Sequence, residues 1–444
     1  MPAPASRPIR WDIYEEHFEE ASYLWGEWED ALVAANYTLD DVAAGPEARL
    51  HAHLDGLVLG GRPVAEKLLL PALTGDEPGR IAPAAWALVQ SEPGAPNGAA
   101  ADDYQDAVVG ALASAAPPAR AAIARALRLS ARADHSRVAP LWRNGSPETR
   151  GVVFDLLSAS EPTWAREHLE SVLRGGDSLP LAGALRALRR APDRSLIVCV
   201  EDALKTELRE VRLEAMTTGI VFGVPAAWDV CRRIAIRAGD GCRLPLALLA
   251  TSSRPTDRAV VLAFARDPKV KRHAIWALGF AGDVEAADAL VEATGDAAVA
   301  RAAGEALSAI SGVAIEGALA TPGETEGPGV GEVGDDDPPP VVRTEDHLPL
   351  PNAAAVKKWW QRERARFAPG ARHIFGQPRT PGALRAALTT APMWRREVLA
   401  IELAAATTAA AAVDVKTWAA EQWSALAAGS AGPGDSSAPA GRAR

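Results

Sequence analysis

The sequence predicts an all-α protein, a solenoid of short stacked helices with a further helical block at each end. Three observations lead there. Alanine supplies roughly a fifth of the chain, far above ordinary globular usage, while aromatic residues make up only 5% of 444 residues. Such a chain favours helices with close backbone approach and disfavours a β-sandwich. Apolar side chains recur at spacings of three and four along most of its length. Finally, one helical unit near the middle repeats itself 29 residues later. With 48% hydrophobic and 23% charged residues, wholesale disorder is excluded.

The first block spans residues 9–72. Trp11, Tyr14, Phe18, Ala21, Trp25, Trp28 and Leu32 fall on one stripe of a long helix. Residues 11–50 hold eleven acids and a single base, Arg49. That aromatic stripe needs a partner. A second helix is expected from about Glu47 to Leu59, ended by Gly60-Gly61.

Residues 73–317 read as short helices punctuated by Pro, Gly and Asp. The clearest unit runs from Asp267 to Gly279, with a partner helix over Val284–Ala293. Asp267, Val270, Arg272, Ala274, Ala277 and Leu278 map onto Asp296, Val299, Arg301, Ala303, Ala306 and Leu307. Each piece is too short to be stable alone, so neighbours must stack and share a core. The register resembles HEAT-like repeats of the short kind, which makes the expected fold a HEAT-like α-solenoid.

Residues 318–345 break the pattern. Thr321 to Pro340 contains six acids and no base, which reads as an extended acidic Pro/Gly linker. A basic, Trp-containing helical block follows at 346–428. Between Arg343 and Glu397 it carries eleven bases against four acids. The Gly/Ser/Ala/Pro tail, 429–444, is expected to be disordered.

Both end blocks carry motifs. At the N-terminal end these are Glu16-His17-Phe18-Glu19-Glu20-Ala21, Leu24-Trp25 and His51-Ala52-His53-Leu54-Asp55-Gly56-Leu57. At the other end they are Leu348-Pro349-Leu350-Pro351, Trp359-Trp360, the run Arg364 to Gly370, Arg372, Phe375-Gly376 and Arg395-Arg396-Glu397. Together they resemble an uncharacterised proteobacterial family, abundant in myxobacteria, whose genes often sit beside type VI secretion clusters. The resemblance covers about a third of the chain. It implies a context, type VI secretion, and no reaction. The long acidic linker and lengthened tail depart from that family.

Chemistry-bearing patterns are sparse. Cys199, Cys231 and Cys242 are too few and too scattered for a disulfide framework or a zinc pair, and read as apolar fillers in a reducing cytoplasm. Met1 to Arg10 lacks an apolar core, so no secretory leader is expected, and no apolar run is long enough to span a membrane. His51 and His53, two apart on a helix, point away from each other, and the i, i+4 pair His51/Asp55 is a common spacing. His17 with Glu16 or Glu20 is no more specific. We therefore assign no metal ligands, no cofactor and no catalytic residues, and take these histidines as packing between two helices. Neither a G-x-S-x-G elbow nor a Walker loop occurs.

The expected function is a non-catalytic protein-binding scaffold or adaptor, its partner a secreted effector, a spike component or a sheath-associated protein; an immunity role fits the same residues. Candidate contacts are Lys269, Lys271, Arg272, Trp276 and Arg301 in the repeats. In the C-terminal block they are Lys357, Lys358, Trp359, Trp360, Arg362, Arg364 and Arg366. For that block core packing ranks first, protein docking second and nucleic acid third. A further expectation is that the acidic 11–50 segment pairs with the basic 357–396 segment, either closing the solenoid or joining two chains in self-association. The competing class is a HEAT-like enzyme, either a bilin lyase-type protein or a DNA glycosylase using Trp276 and Asp283. The net charge of −10 counts against nucleic acid.

Overall fold

The computed structural model describes residues 9–91, 100–175, 178–239, 241–322, 343–407 and 413–429. Most of the acidic linker (323–342), most of the tail (430–444) and part of the Ala-rich run (408–412) lie outside the described residues.

The fold is all-α. Its first helices are α1 (Trp11–Ala31), α2 (Ala48–Leu59), α3 (Pro78–Gln90), α4 (Ala100–Ser114), α5 (Pro117–Leu129), α6 (Ala139–Asn144), α7 (Pro147–Ser160), α8 (Pro162–Arg174), α9 (Ser178–Arg190), α10 (Ile197–Ala203) and α11 (Arg209–Val221). There follow α12 (Pro225–Ile236), α13 (Arg243–Thr251), α14 (Pro255–Phe264), α15 (Lys271–Leu278), α16 (Val284–Ala293) and α17 (Ala300–Ser311). The last are α18 (Ala353–Glu363), α19 (Pro381–Thr390), α20 (Met393–Ala406) and α21 (Ala419–Ala428). One small antiparallel hairpin, β1 (His373–Ile374) with β2 (Gln377–Pro378), is the only sheet among the described residues. Pro opens α3, α5, α7, α8, α12, α14 and α19, where its missing N–H costs nothing.

The chain divides into two compact units. The first comprises residues 1–31, 41–214 and 417–419; the second comprises 32–40, 215–416 and 420–444. The acidic 9–72 block therefore falls mainly in the first unit, and the basic 346–428 block mainly in the second.

In the first unit α3, α5, α7 and α9 form a row in which each helix packs on the next, with α4 and α8 flanking it. The α1 stripe buries Phe18, Ala21, Leu24, Trp25, Trp28 and Ala31 against α2 and α3. Trp25 and Trp28 meet Trp418, which also contacts Trp86 and His51, with ring centroids 4.4–6.4 Å apart. Glu47, only 6% exposed, sits beside this cluster. Its carboxylate accepts from the Trp28 indole N–H at 2.9 Å and from the amide of Ala419 at 3.0 Å. The Trp418 indole donates to the Leu129 carbonyl at 2.8 Å. Both polar tips are thus satisfied, as burial requires.

In the second unit α13, α15 and α17 form the row, flanked by α12, α14 and α16. Alanine permits the close approach: Ala274 and Ala277 of α15 and Ala303 and Ala306 of α17 are fully buried. A ladder of ion pairs, each between residues 25 apart in the chain, links neighbouring helices of the unit. Arg232 donates to Asp257, Arg258 to Asp283 and Lys271 to Asp296. Asp257 is fully buried and also accepts from the Ser252 hydroxyl at 2.7 Å. Asp283 caps α16 through the Ala286 amide at 2.9 Å.

The rungs differ in burial, and their energies should differ accordingly. Asp257→Ala leaves the Ser252 hydroxyl without its acceptor and Arg232 with Asp229 alone, and should cost about 2–3 kcal/mol. Asp296→Ala breaks a half-exposed pair and should cost under about 1 kcal/mol. Urea denaturation of the two variants checks this, and equal losses would contradict it.

Candidate protein-binding groove

An open groove of about 720 Å³ lies between α14 and α16, with α15 beneath it. Ala259 and Ala263 stand one turn apart on α14, and Ala289 and Ala293 one turn apart on α16. These small side chains leave the space open. Leu262 and the buried Ile275 add apolar lining. Glu285, Asp288 and Glu292 follow one another along α16 at spacings of three and four, so they share the rim, with Asp296 beyond them. Arg266 and Lys271 supply the basic side chains of the lining.

The α16 rim is bound by α18. Arg364 makes a two-pronged contact with Asp288, at 2.9 and 2.7 Å, and the Trp360 indole donates to the same carboxylate at 2.7 Å. The hydrogen bond from Arg364, helped by the one from Trp360, holds the Asp288 carboxyl below its usual range. Lys357 reaches Glu292 at 3.0 Å. These pairs are largely exposed, so they orient α18 more than they stabilise it.

The residues proposed from sequence therefore separate by what they touch. Lys271, Lys357, Trp360 and Arg364 converge on the acidic wall of the groove. Arg272 pairs with Glu345, and Arg301 donates to the Leu348 carbonyl, so both tie down the chain that leads into α18. Trp276 and Trp360 are buried, at 5% and 4% exposure, and belong to the interior. Trp359 is half-buried, and Arg366 pairs with its neighbour Glu363. Lys269, Lys358 and Arg362 are exposed and make no ion pair among the described residues. Asp283, the acid named for a glycosylase reading, is 6% exposed and held by the cap and by Arg258.

The hairpin crosses the C-terminal ends of the row. Arg372 donates to the carbonyls of Thr251 at the end of α13, and of Phe280 and Ala281 just past α15, at 2.8–3.0 Å. The amide of His373 donates to the Gly282 carbonyl, and those of Phe375 and Gly376 to the carbonyls of Ala309 and Ile310 in α17. Phe375 and Gly376 both take positive φ, 47° and 77°, as a tight two-residue turn requires. At Gly282 and Gly312 a Cβ would lie within 2.7 Å of hairpin carbonyl oxygens, which leaves glycine as the residue that fits. Burial pulls the Arg372 guanidinium down to about 10, still charged at neutral pH. A cation at helix C-termini also complements the helix dipoles.

Arg395 and Glu305 form a second anchor. Both are buried, and the guanidinium meets the carboxylate through Nε and Nη2. The same guanidinium lies over the Phe280 ring, and it fills the space a side chain at Gly279 would need. Neither Glu305 nor Asp288 stood out in sequence. The spacing of Glu285, Asp288 and Glu292 was the available signal for an acidic helix face, whereas nothing local marks Glu305 as a buried partner.

Among the described residues no group of three or more His, Cys, Asp or Glu side chains is placed to hold a metal ion. The three cysteines are buried and form no disulfide with one another, and burial pushes the Cys231 thiol well above its usual value. No helix of the described residues is long and apolar enough to cross a membrane. No protein-family model matches the chain, and no curated protein is similar to it at a significant level.

The buried pair makes a discriminating prediction. Arg395→Met or Glu305→Leu alone strands a buried charge and should cost about 3–5 kcal/mol. The double variant should recover most of that loss. Chemical denaturation of all three checks it; a double variant as unstable as the sum of the singles would contradict the assignment.

Proposed function

We propose that the protein is a non-catalytic binding scaffold or adaptor whose protein partner lies in the groove between α14 and α16. The observation that supports this reading is the groove itself, apolar and lined by small side chains below, charged along its rim. Polar and charged rims around an apolar centre are the ordinary anatomy of a protein-binding patch. Two helices of ten residues bound it, each about 15 Å long, so a few turns of a partner helix suit its dimensions. Of the cations proposed from sequence, Lys269, Lys358 and Arg362 are exposed for contacts outside the groove. The motif resemblance at the two ends of the chain supplies the context. The partner in that reading is a type VI effector, a spike component or a sheath-associated protein, met in the cytoplasm.

The test is affinity purification of the tagged chain from its native cell, with mass spectrometry of what co-purifies. The wild type should recover secretion components. Ala263→Trp, which fills the groove, should lose at least nine-tenths of them while keeping the wild-type melting temperature. Recovery of chaperones alone, or equal recovery by the two proteins, would defeat the proposal. Affinity for duplex DNA at low salt should be negligible, and tight binding there would favour the glycosylase class instead.

A further inference from the structure

The histidine motifs of the N-terminal block come together in the first unit. His17 projects from α1 and His53 from α2, and their Nδ1 atoms lie 3.2 Å apart. The rings meet edge to face, with centroids 5.1 Å apart. Spacing along a single helix suggested no chelate, because His51 and His53 diverge. The pairing runs across two helices instead, and no count along one helix could expose it.

Two independent features show that this meeting is built. Gly56 lies in the interior of α2, where glycine costs roughly 1 kcal/mol relative to alanine. A Cβ there would approach the His17 ring to 3.0 Å, so the glycine is what allows the imidazole to lie against the helix. The nitrogen separation is the second. Two nitrogens held 2.0–2.1 Å from a tetrahedral ion lie about 3.3–3.4 Å apart, which the pair matches closely. Both histidines are half-buried. Glu16 and Glu20 add negative charge around His53, against one positive neighbour, Arg49.

We propose that His17 and His53 form a two-imidazole site for divalent ions of the zinc class, with water completing a tetrahedral coordination. Imidazole ligands suit these ions. Occupied, the site would cross-link α1 to α2 beside the aromatic core.

Isothermal titration of the chelator-treated full chain with zinc chloride at pH 7.5 tests this. One ion should bind per chain. His17→Gln and His53→Gln should each weaken binding at least tenfold, and the double variant should show no more than the scattered affinity of the remaining histidines. Cobalt(II) added to the wild type should give the visible bands of a low-symmetry tetrahedral site. That signal does not depend on whether a variant folds. Absence of zinc binding by the wild type, or binding unchanged in the double variant, would leave the contact as a hydrogen-bonded pair only and overturn the proposal.

Discussion

Stacked helices solve one problem and create another. Side by side they share a core, but the last carbonyls of every helix have no partner within it. In the second unit those ends belong to α13, α15 and α17, and the hairpin of residues 372–378 is laid across them. Arg372 spans the ends of α13 and α15, and the amides of Phe375 and Gly376 reach α17. The rest of the unit is arranged so that this contact is possible. Gly282 and Gly312 clear the backbone approach, Glu402 pairs with Arg379 beside Arg372, and α18 is pinned to α16 ahead of the hairpin.

The same contact explains what the basic C-terminal block is for. As a linear sequence it looks like a cationic surface. In the fold many of its charges are engaged within the second unit: Lys357 by Glu292, Arg364 by Asp288, Arg372 by carbonyls, Arg379 by Glu402 and Arg395 by Glu305. Arg396 is fully buried among the Leu388 carbonyl, Gln422 and the Met393 sulfur. Several acids of α1 are likewise met by Lys67, Arg80 and Arg125 of the first unit. Local charge excess in a sequence is therefore poor evidence of a free charged face, because long cationic side chains are also good anchors.

What was legible in the sequence was periodic. The α1 stripe, the 29-residue repeat and the boundaries of α16 follow from apolar spacing and from capping residues, and the helices lie where those signals put them. What was not legible depends on pairs far apart in the chain. Asp257 and Arg232 are 25 residues apart, Glu305 and Arg395 are 90 apart, and Leu129 and Trp418 are 289 apart. No local pattern links such residues, since each looks like an ordinary surface charge or a stray aromatic until its partner arrives. The groove stayed hidden for a related reason. Ala259, Ala263, Ala289 and Ala293 are unremarkable in an Ala-rich chain, and only the separation of α14 from α16 turns them into a concave lining.

The order in which the chain is made gives the long-range contacts a temporal meaning. Arg372 is synthesised 91 residues after Ala281 and 121 after Thr251. At about 5–20 residues per second, the row α13–α17 must wait several seconds with its carbonyl ends open. The first unit waits longer still, because its tryptophan cluster is completed by Trp418. Each unit borrows a short piece from the far end of the chain, residues 417–419 for one and 32–40 for the other. A nascent chain halted midway thus carries neither unit in finished form.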